Sequence, residues 1–244
     1  MKDLFRSVLG CSSGWLLVCA GLGCSDEESG LFIQGNVALT PPSCEARAEA
    51  STALLGGGVL DVGLRFDYDA TLLVGSQLTP RADKTNLRTE TMITVIDGAE
   101  VHLFTDTGAE EAAFTVPASG VIRPDPSNEA GYGIISATLI PRATGSRLAG
   151  ELMPGEVVTR VAEVKVFGKT VGGLDVESAS IRYVIKVCLG CLVDFPPAAL
   201  NPNGTCGKAL DQNPELPCFF GQDAVVDCRS CAASNPICAS AVGG

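Results

Sequence analysis

Apolar and polar positions alternate along most of this chain instead of recurring every three or four residues. The clearest case is Leu60, Val62, Leu64, Phe66 and Tyr68, with Asp61, Gly63, Arg65 and Asp67 between them, which predicts a half-buried strand. A second alternation, Ile181, Tyr183, Ile185 and Val187 against Ser180, Arg182 and Lys186, predicts another. Between them, strands are expected over residues 70–77, 89–96, 99–105, 111–117, 131–141 and 157–168. Turn chemistry separates these segments: Gly56-Gly57-Gly58, Pro124-Asp125-Pro126 and Gly172-Gly173. Asp97-Gly98 between two strands predicts a tight hairpin. Many short strands with little helical pattern argue for an all-β fold, an antiparallel β-sandwich, with a closed β-barrel as the alternative. Only the Ala-rich residues 45–55 read as a short helix, and no internal repeat is visible.

After Val187 the pattern changes. Residues 188–238 hold seven cysteines together with the loop signals Pro196-Pro197 and Asn201-Pro202-Asn203-Gly204. A segment of this composition cannot build a core without crosslinks.

The first residues run differently again. Lys2 and Arg6, with Asp3 between them, precede an apolar run over residues 8–23 that breaks into Ser25-Asp26-Glu27-Glu28. That run is too short and too rich in small residues to span a bilayer comfortably, and it reads as an export signal. Gly21-Leu22-Gly23-Cys24 resembles the lipobox of bacterial lipoproteins, with Gly21 a departure from the Leu usual there. The resemblance implies cleavage before Cys24 and diacylation of that cysteine. Ser25 in the next position resembles lipoproteins sorted to the outer membrane. A plain secretory cut after Ala20 is the alternative.

Cysteine arithmetic bears on the choice. Of eleven cysteines, Cys11 and Cys19 fall in the leader. A lipidated Cys24 then leaves eight, an even number that can pair completely, whereas a cut after Ala20 strands one thiol. Because Cys44 is the only one of the eight outside the tail, full pairing requires it to bond to a tail cysteine. The tail is therefore expected to be clasped to the β-domain.

Composition narrows the partners. Removing the leader takes away Lys2, Arg6 and Asp3 and moves the formal charge from −11 to −12. Such a surface repels phosphate backbones, so no nucleic-acid partner is expected.

Candidate chemistry is sparse. Cys188/Cys191 and Cys228/Cys231 form two Cys-x-x-Cys units. They could hold zinc between four thiolates or form a redox-active pair, but in an exported chain a disulfide framework is the expectation. His102, the single histidine, shares the polar face of its strand with Glu100, so it is expected to face solvent. Asp67-Tyr68-Asp69 and residues 125–129 are oxygen-rich but match no full calcium loop.

Three stretches resemble the uncharacterised lipoproteins found in many copies in myxobacteria. They are Val59-Leu60-Asp61-Val62, Asp97-Gly98-Ala99-Glu100-Val101, and Val164-Lys165-Val166-Phe167-Gly168 running through Gly172-Gly173 to Cys188-Leu189-Gly190-Cys191. The resemblance covers roughly residues 44–195 and implies an exported, β-rich lipoprotein without supplying an activity.

The sequence thus divides into a signal peptide (1–23), a lipidated Cys24 and tether leading into the first strand (24–43), a β-sandwich-like domain (44–187) and a Cys-rich segment clasped to it (188–244). Cys44, Cys188, Cys191, Cys206, Cys218, Cys228, Cys231 and Cys238 are the disulfide candidates. No catalytic residue, metal or cofactor is expected. The expected function is a non-enzymatic binding or structural role at the outer membrane, with the membrane and another envelope or surface protein as partners. An envelope redox or metal-binding protein using the Cys-x-x-Cys units is the alternative.

Overall fold

A computed structural model describes residues 30–82, 89–127, 129–207 and 216–240. The leader, Cys11, Cys19, Cys24 and the acidic start of the tether lie outside the described residues. The described residues are mostly β with one α-helix. In order, the elements are β1 (Leu31–Val37), β2 (Leu54–Leu55), β3 (Gly58–Asp61), β4 (Tyr68–Ser76), β5 (Thr94–Thr105), β6 (Glu110–Ile122) and β7 (Gly131–Ile140). There follow α1 (Arg142–Glu151), β8 (Val157–Thr170), β9 (Asp175–Glu177), β10 (Ile181–Cys188), β11 (Val193–Asp194) and β12 (Val226–Asp227).

Two sheets enclose one core. The first is antiparallel, in the order β2-β1-β4-β7. The second curls into a half-barrel in the order β3-β10-β8-β5-β6, with β9 also on β8. Alternation sends Leu72 and Val74 from β4, Val101 and Leu103 from β5, Val164 and Val166 from β8 and Ile185 and Val187 from β10 into the shared interior. The second sheet is not purely antiparallel as expected, because β3 runs parallel to β10.

Three local expectations are corrected. The Asp97-Gly98 hairpin is absent: β5 runs straight through it as one strand, and Asp97 is the extra residue of a bulge against β8. The inward set changes accordingly from Thr94 and Ile96 to Ala99, Val101 and Leu103. Gly98 serves close packing there, since a Cβ would lie 2.5 Å from the Phe167 ring.

The long alternation from Leu60 to Tyr68 is likewise not one strand. The Asp61 carbonyl accepts the N–H groups of Leu64 and Arg65, which ends β3 and turns the chain back toward β4. Leu60, Val62 and Tyr68 nevertheless all reach the core.

Residues 45–55 form no helix. Thr52 closes a turn onto the Glu49 carbonyl, and Leu54 and Leu55 pair with β1. Alanines alone give that segment no apolar stripe wide enough to bury. The helix stands instead at α1, directly after Pro141, with Leu148 in the core. Gly145 lets α1 touch the Phe66 carbonyl, where a Cβ would overlap it. With only Gly145 and Leu148 buried, α1 carries almost no helical periodicity to read.

Candidate functional site

All eight cysteines from Cys44 to Cys238 are paired: Cys44–Cys218, Cys188–Cys191, Cys206–Cys228 and Cys231–Cys238. Crosslinking of this density belongs to an oxidising, extracytoplasmic environment. No helix among the described residues is long and apolar enough to cross a membrane. Two bridges replace a core within the tail. Cys206–Cys228 packs with Ala199, Val193 and Phe195, and Cys231–Cys238 with Val226, Phe220 and Ile237.

Cys44–Cys218 joins the tail to the β-domain across 174 residues of sequence. Beside it, residues 221–223 run antiparallel to the free edge of β3. Asp61 N–H donates to the Gly221 carbonyl (2.9 Å), and Asp223 N–H donates to the Val59 carbonyl (2.9 Å). Buried Gln222 then reaches across to the other sheet. Its side-chain amide donates to the Asp69 carbonyl (2.7 Å) and accepts from the Asp69 N–H (3.0 Å), as a neighbouring strand would. One side chain thereby satisfies two backbone groups where β1 no longer covers β4.

Asp223 lies at the centre of this junction, with its backbone in the left-handed region (φ 60°). Its carboxylate accepts from the Val59 N–H (2.8 Å), the Tyr68 hydroxyl (2.8 Å) and the Gln222 amide (3.1 Å). Burial pushes this carboxyl above the usual carboxylate range, and the three hydrogen bonds pull it partly back. Burial, with the Asp223 charge and Tyr183 beside it, pushes the Tyr68 phenol far up, so it stays protonated and donates.

Asn36, also buried, uses its amide to donate to the hydroxyls of both Tyr68 and Tyr183 (3.0 Å each), and its carbonyl accepts from the Thr71 N–H (2.8 Å). Gly58 makes room for the Tyr68 hydroxyl, which would lie 2.4 Å from a Cβ. A cavity of about 80 Å3 opens over this cluster, between the tail and the ends of β1 and β4.

The residues singled out by sequence fall elsewhere. The two Cys-x-x-Cys units do not act together. Cys188–Cys191 closes on itself, whereas Cys228 and Cys231 bond to Cys206 and Cys238. Asp61 packs beside the first unit, with a carboxylate oxygen and both sulfurs within 4.8 Å of one another. Both sulfurs are spent in a disulfide. The carboxylate accepts the N–H groups of Gly63 (3.0 Å), Gly190 (2.8 Å) and Leu192 (2.9 Å) and thereby fixes the loop.

His102 stands half-exposed on the outer face of β5, between Glu110 (2.7 Å) and Glu100 (3.3 Å), whose hydrogen bonds hold its pKa above the usual value. Asp67 and Asp69 converge on Arg65, and Asp125 accepts from the N–H and hydroxyl of Ser127, closing its own turn.

Asn36, Tyr68, Tyr183, Gln222 and Asp223 carry no motif. Each is an ordinary polar or aromatic position, and apart from the adjacent Gln222 and Asp223 only pairing over 32 to 155 residues of sequence brings them together. The one local hint is Asp67-Tyr68-Asp69, where acidic neighbours flank a tyrosine on an inward position.

No protein-family model matches this chain, and no curated protein matches it. Among solved structures it is similar to a candidate late embryogenesis abundant (LEA) protein determined in solution. The identity is 13%, the TM-score 0.31, and the match covers 54% of this chain and 71% of that one.

Proposed function

We propose that this chain is an exported lipoprotein, held at the outer membrane by a diacylated Cys24, whose β-sandwich-like domain serves a non-enzymatic binding or structural role toward another envelope protein. The observation that carries this reading is the closed set of disulfides. Each of the eight cysteines from Cys44 onward is bonded to another of the eight, so none is left to pair with Cys24. A cysteine outside a complete framework, directly after Gly21-Leu22-Gly23, fits lipidation better than crosslinking. More than one acyl chain gives the stable anchoring that a single chain does not.

The chemistry of the fold points the same way. The half-buried carboxylate of Asp223 is engaged in holding the tail across both sheets, and the Cys-x-x-Cys sulfurs hold loops. The resemblance to myxobacterial lipoproteins agrees with this reading.

Replacing Cys24 by Ala tests the anchor. The variant is expected to leave the membrane fraction or to remain unprocessed. A processed Cys24→Ala protein that still fractionates with the outer membrane would overturn the assignment.

A further inference from the structure

We infer that the cavity between the tail and the ends of β1 and β4 takes an organic cation, a primary ammonium group on a short aliphatic stem. The inference rests on the binding role proposed above and names its ligand class. The cavity holds about 80 Å3, far below the roughly 300–1,000 Å3 of sites that enclose drug-sized molecules. It has room for the end of one chain.

Part of its lining is apolar, from Val37, Leu39, Pro41, Leu55 and Phe219. The polar part is formed by Asn36, Asp69, Thr71, Gln222 and Asp223. The side-chain amide N–H groups there are already directed elsewhere: those of Asn36 to two tyrosine hydroxyls, those of Gln222 to Asp69 and Asp223. Apart from the Thr71 hydroxyl, which can donate or accept, what the polar wall has left to offer is acceptor oxygen.

Charge sharpens the choice. Asp69 is already paired with Arg65, which it shares with Asp67. Asp223 makes no ion pair among the described residues, although its carboxylate is half-buried and held in place by three donors. A desolvated carboxylate without a countercharge is costly, and a ligand cation would offset that cost. Three of its roughly four acceptor positions are filled, which leaves one. A guanidinium binds a carboxylate best through two parallel hydrogen bonds, whereas an ammonium is a compact point charge that needs one. The left-handed backbone at Asp223 fits a residue held in place for such a role.

This chemistry has two sources, a lysine side chain of another envelope protein or a free short alkylamine. The processed chain with its disulfides intact is titrated with n-butylammonium chloride and, separately, with Nα-acetyl-lysine N-methylamide. 1-Butanol and sodium butyrate serve as controls at matched ionic strength, and the backbone amide resonances of Gln222 and Asp223 are followed by NMR.

Saturable shifts with an ammonium probe and none with butanol or butyrate are expected. Saturation by both ammonium probes points to lysine, and by butylammonium alone to a free amine. Asp223→Asn should weaken binding at least tenfold. Should that variant fail to fold, Ala224→Leu, which narrows the cavity and leaves Asp223 in place, should do the same. The inference is overturned by no saturable shift, by an equal response to butanol, or by a folded variant of either kind that binds as the parent does. Failure here together with membrane release of Cys24→Ala would reject the ligand class and leave the envelope reading standing.

Discussion

The polar side chains of this protein differ in how far they are committed. Asp61 sits wholly inside the fold, and its carboxylate stabilises three backbone N–H groups around the Cys188–Cys191 loop. Asp61→Ala would leave these donors without a partner, at about 1–3 kcal/mol for each that stays buried. Chemical denaturation should therefore show a lowered midpoint. His102 is the opposite case, sharing the outer face with Glu100, Glu110, Glu163 and Lys165. Because the Glu110 and Glu100 bonds raise its folded pKa, its contribution is fully present below the unfolded value and is lost as pH rises through the raised one. His102→Gln should leave the fold and any binding unchanged at neutral pH. It should also flatten the rise in thermal stability on acidification through that window, as thermal melts across the pH range would reveal.

At the scale of elements, alternation picked out the buried Leu60, Val62 and Tyr68 but not the equally buried Asp61, and it was a poor guide to where strands stop. Leu60, Val62 and Tyr68 are core residues as their pattern says, yet a turn lies among them because Asp61 captures the N–H groups that a longer β3 would have used. The reverse happened at Asp97-Gly98. A dipeptide that favours a hairpin in isolation is overridden by β6 and β8, which pair with β5 on both sides of it. The clue was present as a change of phase, with inward residues moving from even to odd numbers. Gly98→Val should strain this bulge against the Phe167 ring and the Val116 carbonyl, destabilising the fold by roughly 1–3 kcal/mol. An unchanged denaturation midpoint would contradict the packing described. α1 escaped detection for another reason: a helix buried through one glycine and one leucine leaves no period in the sequence.

For the whole molecule, the legible part was what counting can reach. An odd number of tail cysteines obliged Cys44 to cross to the tail, and it does so at Cys218. The polar cluster was not legible, because Asn36, Tyr68, Tyr183 and Asp223 belong to four segments that only the completed topology juxtaposes. In the chain-entropy account, a crosslink closing 174 residues contributes about 5 kcal/mol, although measured values often fall short. Cys44→Ser should therefore cost about 2–5 kcal/mol and leave Cys218 as the reactive thiol. Peptide mapping after alkylation under non-reducing conditions checks the second point and calorimetry the first.

The segment of residues 221–223 also makes β3 and β4 depend on residues far along the sequence. It covers an edge made some 160 residues earlier, and its Gln222 amide completes the hydrogen bonding of β4. A chain that stops short of Cys218 holds the residues of β3 and β4 but not the segment that bridges them. The Cys44–Cys218 bond belongs to the same stretch, so the oxidising environment that such crosslinks need must act on a chain already extended past Cys218.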